Sequence, residues 1–418
     1  MSQPEQEPPP LLRQQEFLKL WSAQAISQLG DQVTLLALPL VAVLTLDASA
    51  AQMGLLTAAE LMPHLLFSLF AGVWIERRSR RRRLMIAADI ARAGLLASVP
   101  VAAAFDVLTF PQLYAVGFAA GSFAVLFDIS WATLFPAVVP RRDLVDASSK
   151  LSLSRSLSFV VGPSLAGFLV QAVTAPVTLL LDAFSFIGSA LFLGRIRTPE
   201  PSPDRDGNGV LRSLRDGMRF VLRDDLIRAD LGCAATVNLF NFVFAAIFIL
   251  YATRELGVAP GTLGIALGLG AIGGILGALV APPLERAIGI GPSVVLGSVL
   301  FPAPLILVPI ASGSELRLGV MLGTAEFFSA VGVMIFDVSA ASMLFLRTPD
   351  RIRARTAGTF RFVNYGIRPI GALLGGALGT AIGLQTTLWI GVLGALLGVV
   401  WLVFSPIPRL REAPAEAV

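Results

Sequence analysis

Two tetrapeptides carry an aspartate into otherwise apolar surroundings, Phe127-Asp128-Ile129-Ser130 and Phe336-Asp337-Val338-Ser339. They stand at an offset of 209 residues, and the prolines that follow, Pro140 and Pro349, keep that offset. An ionisable side chain inside a long apolar run costs about 2.5–3.5 kcal/mol or more, so such residues mark substrate or ion paths by default. Asp31 has the same setting, and Asn238 and Asn241 place uncharged polar groups in another apolar run. Desolvation favours the protonated form of a carboxyl. A buried carboxylate can therefore take up a proton in one conformation and release it in another. Glu60 and His64 are one helical turn apart, which suits a proton relay or a plain interhelical hydrogen bond. Trp131 follows Asp128 by three residues and shares its helix face, a pairing able to hold an organic cation by charge and cation–π attraction. Asp31 and Glu60 are thus the proton-coupling candidates. Asp128, Trp131, Asn238, Asn241 and Asp337 are the substrate-binding candidates. Glu326 and Asp182 are expected nearer the outer half, Asp182 in a structural role.

Long apolar runs must position these residues. The chain has 418 residues, 55% of them hydrophobic and 14% charged. Soluble proteins carry about 25% charged residues, and a membrane-spanning helix needs roughly 20 predominantly apolar ones. The fold class is therefore an all-α membrane protein; the alternation of a membrane barrel is absent. The single cysteine, Cys233, excludes an internal disulfide. With the single histidine, His64, it cannot supply a zinc site of the usual nitrogen and sulfur type. Neither lysine, Lys19 nor Lys150, follows a glycine, so no Walker-type phosphate loop exists. No nucleophile–histidine or metal constellation is visible, and an enzyme is not expected. No cofactor and no metal are expected either.

Twelve spans are predicted, at roughly 17–46, 52–75, 84–105, 110–138, 148–173, 176–194, 229–253, 261–284, 291–311, 317–346, 357–383 and 386–405. The basic stretches at 76–83, 140–143, 195–228, Arg286, 347–355 and 409–411 then share one side with both termini, against Arg254 and Arg317 opposite. That asymmetry predicts cytoplasmic termini in an inner (cell) membrane. The net charge of +4 is matched to anionic headgroups, with no nucleic-acid partner. The expected organisation is a disordered tail over 1–15, a six-helix bundle over 16–196, and a linker over 197–226. A second bundle over 227–407 and a tail over 408–418 complete it. The stretch from Val210 to Asp230 reads as a basic amphipathic surface helix.

The two bundles read as repeats. Glu76-Arg77 and Glu285-Arg286 keep the 209-residue offset, and Arg155 and Pro163 match Arg361 and Pro369 at an offset of 206. A parallel duplication of six helices, with Gly72-Val-Trp-Ile-Glu76-Arg77-Arg78-Ser79-Arg80-Arg81 after the second span, resembles the major facilitator superfamily. Glutamate stands where that family has aspartate, and serine where it has a second glycine. Gly162-Pro163 and the small residues after it resemble the core of the family's antiporter motif. The texture around 140–158 resembles the drug/proton antiporters that include macrolide exporters and the enterobactin exporter. The resemblance implies two six-helix bundles related by a pseudo-two-fold axis, with the first, fourth, seventh and tenth spans lining a central cavity. It implies that Gly72, Glu76, Arg77, Asp89, Arg92, Arg155, Gly162, Pro163 and Arg361 serve conformational gating.

The function expected is proton-coupled export of amphipathic or cationic organic compounds by alternating access, with small molecules, protons and lipid as partners and a monomer as the working unit. Export of an anionic metabolite such as a siderophore, uptake by symport, and a non-transporting sensor are the alternatives. The charge asymmetry makes a direct prediction. In sealed cells a Ser79→Cys protein should react with a membrane-permeant thiol reagent and resist an impermeant one. Labelling from outside would reverse the topology.

Overall fold

The computed structural model of the chain describes residues 11–76, 81–196 and 210–411. The described residues fold into helices joined by short loops. The first six are α1 (Gln15–Leu44), α2 (Ala50–Glu76), α3 (Arg81–Ala104), α4 (Phe110–Val138), α5 (Leu144–Ala172) and α6 (Ala175–Gly194). A short helix, α7 (Val210–Arg223), precedes the second set: α8 (Asp225–Arg254), α9 (Pro260–Ile288), α10 (Ile290–Leu300), α11 (Glu315–Arg347), α12 (Asp350–Ile382), α13 (Leu384–Leu396) and α14 (Gly398–Val403). Prolines in the first turn open α4, α6 and α9, where a missing N–H costs nothing.

All twelve expected spans are present as helical segments, with local differences that proline, glycine and charge explain. The ninth is broken. α10 stops at Leu300, and a 3-10 turn, Ala303–Leu307, continues the crossing. Pro302 and Pro304 remove the donors that an unbroken helix would need there. The last span is split between α13 and α14 at Leu397. Among the described residues, ten helical stretches are apolar and long enough to cross a membrane. Neither α2 nor α12 is among them, and α12 carries Arg351, Arg353, Arg355, Arg361 and Arg368. The surface helix ends at Arg223, earlier than expected. Asp224 takes over as the N-cap of α8, accepting from the backbone N–H groups of Leu226 (3.0 Å) and Ile227 (3.2 Å). The N-terminal tail also differs from expectation. Leu11–Arg13 form a 3-10 turn, and Leu11 is buried against Phe17, Val139 and Ala147. Residues 1–10, 197–209 and 412–418 of the expected tails and linker lie outside the described residues.

In the first set, α1 packs on α5 and α6, α3 on α4 and α6, and α2 on α4. In the second, α11 packs on α9 and α10, and α8 on α12 and α13. Two seams join the sets, α2 against α12 and α5 against α9. Both depend on glycine. A Cβ on Gly54 would lie 2.6 Å from the carbonyl oxygen of Ala372 and 2.7 Å from Cα of Gly376. A Cβ on Gly264 would lie 2.4 Å from the carbonyl oxygen of Pro163 and 3.1 Å from Cα of Gly167. α9 carries a second stripe, Gly273 and Gly277, against the backbone of Phe327 and Val331 on α11. Beside the seams, a single apolar core runs from Leu36 and Leu40 of α1 to Phe244, Phe248 and Tyr251 of α8. Arg254, at the end of α8, is paired there with Asp47 of the α1–α2 loop. The ends of the bundles away from the chain termini are therefore sealed together.

Any side chain on Gly54 must force the seam apart. Overpacking costs about 1–3 kcal/mol, so Gly54→Val should populate a conformation open at the sealed end about tenfold more or beyond. Labelling rate at Ala42→Cys in a Cys233→Ser background measures this; Ala42 is fully buried in the sealed state. An unchanged rate in a folded Gly54→Val protein would show that the seam is not a closure contact.

Candidate functional site

Between the two sets lies a cavity of about 570 Å³, within the range of small-molecule sites. α1, α2, α4, α8 and α11 contribute most of its wall. Phe242, Phe244, Phe248 and Phe301 give it an aromatic lining, and its ionisable groups are Asp31, Glu60, His64, Arg92 and Glu326. Glu60 stands on α2 and Glu326 on α11. Neither has a hydrogen-bond or ion-pair partner among the described residues.

Arg92 dominates the side formed by the first six helices. Its guanidinium donates to a carboxylate oxygen of Asp31 on α1, and Cζ lies 3.9 Å from the ring centre of Phe186 on α6. Asp89 and Asp182 also lie within electrostatic range of Arg92. Asp89 and Asp182 are buried, whereas Asp31 keeps 39% of its side chain exposed to the cavity. Asp182 accepts hydrogen bonds from the Thr34 hydroxyl and from Ser185 (2.8 Å), which ties α6 to α1. The resemblance places Arg92 with Asp89 in a gating cluster near the α2–α3 loop. The structure places Arg92 at the cavity wall instead, because it is eleven residues into α3, roughly 16 Å from its start. Asp182 thus fastens α6 to α1. Glu326 reaches the cavity wall.

The twin aspartates do not line the cavity. Its α4 wall runs from Gly117 to Ala124 and its α11 wall from Glu326 to Val333. Asp128 and Asp337 lie four residues further along each helix, toward the termini, and are exposed. Trp131 stacks on Phe135, with ring centres 5.9 Å apart, against the core of its own bundle. Asn241 lines the cavity, whereas Asn238 accepts a hydrogen bond from Nε of Arg368 at 3.1 Å. Arg368 also lies over the rings of Tyr365 (4.6 Å) and Phe242 (5.3 Å) and within electrostatic range of Asp337. His64 reaches across the seam and stacks on Tyr365 at 5.6 Å. Arg368 escapes the sequence reading. Its signal is an arginine directly before the repeat-matched Pro369, whereas the repeat match itself points to Arg361. Arg155 and Arg361 are exposed and form no ion pair with Asp128 or Asp337; the nearest ring to Arg155 is Phe159, at 5.6 Å. Gly162 lets Gln32 of α1 approach; a Cβ there would lie 2.3 Å from Cβ of Gln32. Pro163 lines the cavity. Of the loop motif, Gly72 and Glu76 belong to the helical backbone that ends α2, and Arg77 lies outside the described residues.

A twelve-span bundle pair around one central cavity has known counterparts. The sequence profile of the family described as transmembrane secretion effector matches residues 8–417. The chain belongs to this family of major facilitator transporters. Among relatives, the multidrug efflux pump Tap of Mycolicibacterium fortuitum is 28% identical over 408 residues, covering 92% of this chain and 93% of Tap. Macrolide efflux protein A of Streptococcus pyogenes is 24% identical over 59% of this chain and 60% of its own length. Among solved structures, a bacterial homologue of the iron transporter ferroportin in an inward-facing state superposes with a TM-score of 0.74 at 18% identity. It covers 94% of this chain and 99% of that chain. A variant of the nucleoside transporter NupG gives 0.75 at 14% identity, over 93% and 99%. At these identities the structural likeness is one of fold.

As a major facilitator transporter, the chain must keep Arg92 compensated inside a membrane. Removing one partner of a buried pair costs about 3–5 kcal/mol, and less where one side is wet. Arg92→Gln should lower thermal stability more than Asp31→Asn does: in Asp31→Asn the guanidinium retains Asp89 and Asp182, whereas Arg92→Gln takes from both the cation they share. Thermal unfolding of the purified proteins in detergent checks the order. Equal stability of Arg92→Gln and the parent would show that Arg92 does not organise this bundle.

Proposed function

We propose that the chain is a secondary active exporter of amphipathic organic compounds, driven by protons through alternating access. The cavity between the bundles carries this reading. It is aromatic, large enough for an organic molecule, and sealed at the end away from the termini. The names of the relatives, multidrug efflux pump and macrolide efflux protein, support export as the direction. The basic loops beside the termini support a cytoplasmic location for them, so that the cavity takes its substrate from the cytoplasm or inner leaflet.

Asp31 is the proposed site of the coupling proton. Its exposed part meets cavity water while its paired oxygen holds Arg92. A proton on Asp31 removes the attraction between α1 and Arg92. The guanidinium then rests on Asp89 and Asp182, on α3 and α6. Protonation thus shifts the balance of contacts between α1 and α3, and a ligand shifts an equilibrium by such a difference between states. Asp128, exposed between the cavity and the terminal side, is a proposed first contact for entering cations, with Asp337 its counterpart across the pseudo-two-fold axis. Gly162 and Pro163, at the α1–α5 contact and the α5–α9 seam, are proposed to serve gating, together with Gly72, Glu76 and Arg77.

Export of an anionic metabolite is disfavoured by the lining. Arg92 is paired with Asp31, so among the described residues no unpaired arginine or lysine lines the cavity to receive an anion.

Proteoliposomes with an imposed pH gradient test the reading. The native protein should accumulate substrate several-fold above the gradient-free level. Asp31→Asn should abolish that accumulation while equilibrium binding stays within about threefold, a shift below 1 kcal/mol. Intact proton-driven accumulation in Asp31→Asn would remove the coupling role from this residue.

A further inference from the structure

Glu60 and Glu326 repeat one arrangement with the partners exchanged. On α2, Glu60 packs against α4, where a Cβ on Gly117 would lie 3.1 Å from its Cγ. On α11, Glu326 packs against α9, where a Cβ on Gly270 would lie 3.3 Å from its Cβ. α4 and α11 are equivalent under the 209-residue offset, and so are α2 and α9. That offset carries Gly117 onto Glu326, and Glu60 onto Leu269, directly before Gly270. Each bundle thus presents one glutamate, over one glycine, at the same helix pair and the same level. The glutamate comes from opposite members of the pair.

Both side chains are partly buried and face the same cavity. Neither has a donor or cation among the described residues. The other ionisable wall groups are accounted for: Arg92 is paired with Asp31, and His64 is stacked on Tyr365. Arg368, the remaining cation near the centre, donates to Asn238 outside the wall. A carboxyl in a low-polarity cavity keeps its proton until a compensating charge arrives. Among the described residues no side chain supplies one to either glutamate, whereas a bound cation can, so binding and ionisation favour each other. Phe242, Phe244, Phe248 and Phe301 complete the setting, with apolar surface for the body of such a molecule and ring faces for its charge.

We propose that Glu60 and Glu326 form a two-carboxylate clamp for the cationic group of an amphipathic substrate, one arm from each bundle, with Glu326 as a determinant of charge selectivity. The proposal rests on the exporter reading and assigns the recognition of charge to residues other than the twin aspartates. It also gives Glu60 a binding role in place of proton carriage alone. Because the arms belong to different bundles, the bound cation bridges the two bodies that move apart and together.

The test uses the full chain in proteoliposomes with two probes, tetraphenylphosphonium as a cation and chloramphenicol as a neutral molecule. Glu326→Gln keeps shape and removes charge. It should weaken tetraphenylphosphonium binding about tenfold or more and chloramphenicol binding far less. Glu326→Asp should recover part of the cation affinity, and Glu60→Gln should show the same charge-dependent loss. Unchanged tetraphenylphosphonium affinity in both glutamine variants overturns the clamp. So does an equal loss of both probes with no recovery by Glu326→Asp, which marks a packing role. If the native protein carries chloramphenicol but does not bind tetraphenylphosphonium, the clamp fails and the exporter reading stands. If it carries neither, the exporter reading fails and the clamp with it.

Discussion

A buried guanidinium without a counter-charge is not tolerated in hydrocarbon, and the first bundle is organised around that constraint. Arg92 draws on Asp31 from α1, on Asp89 from its own helix and on Asp182 from α6, and lays its flat face on Phe186. Three helices that share little else in sequence are held in register by that charge. Asp182 then fastens α6 to α1 a second time through Thr34. The most exposed of these carboxylates, Asp31, is also the one that meets the cavity. The structural requirement and the proposed proton site therefore coincide on a single ion pair.

The second bundle meets a similar demand differently. Arg368 lies between the rings of Tyr365 and Phe242 and donates to Asn238, with Asp337 in electrostatic range. Its compensation is aromatic and amide as much as ionic. The halves share helix order and repeat-matched residues, yet their internal charges sit on different helices, α3 in one and α12 in the other. The frame of helices repeats; the charges inside it do not.

This division between a repeated frame and unrepeated charges explains which features are legible in the sequence. Helices were legible because twenty apolar residues in a row have few other uses. The repeat was legible because Asp128 and Asp337, Pro140 and Pro349, and Pro163 and Pro369 survive in both halves. The same repeat misdirected the assignment of the cavity. Matched residues attract attention, but Glu326, Arg92 and Arg368 have no charged match in the other half, and these define the charged surroundings of the cavity. Depth within a helix was legible to about one turn, and one turn separates Asp128 from the cavity wall. Which faces of α9 meet α5 and which meet α11 follows from tertiary packing.

The short helix α7 has a mechanical consequence. It packs on α8 and α12, and the residue after it, Asp224, both caps α8 and receives Nε of Arg347 from α11 at 2.9 Å. Every one of these anchors belongs to the second bundle. Arg215, Arg219 and Arg223 are exposed along α7. The second bundle thus carries a basic outrigger of its own, and among the described residues the first bundle has no separate surface helix to match it. In the language of machines, a body braced in this way is the stator.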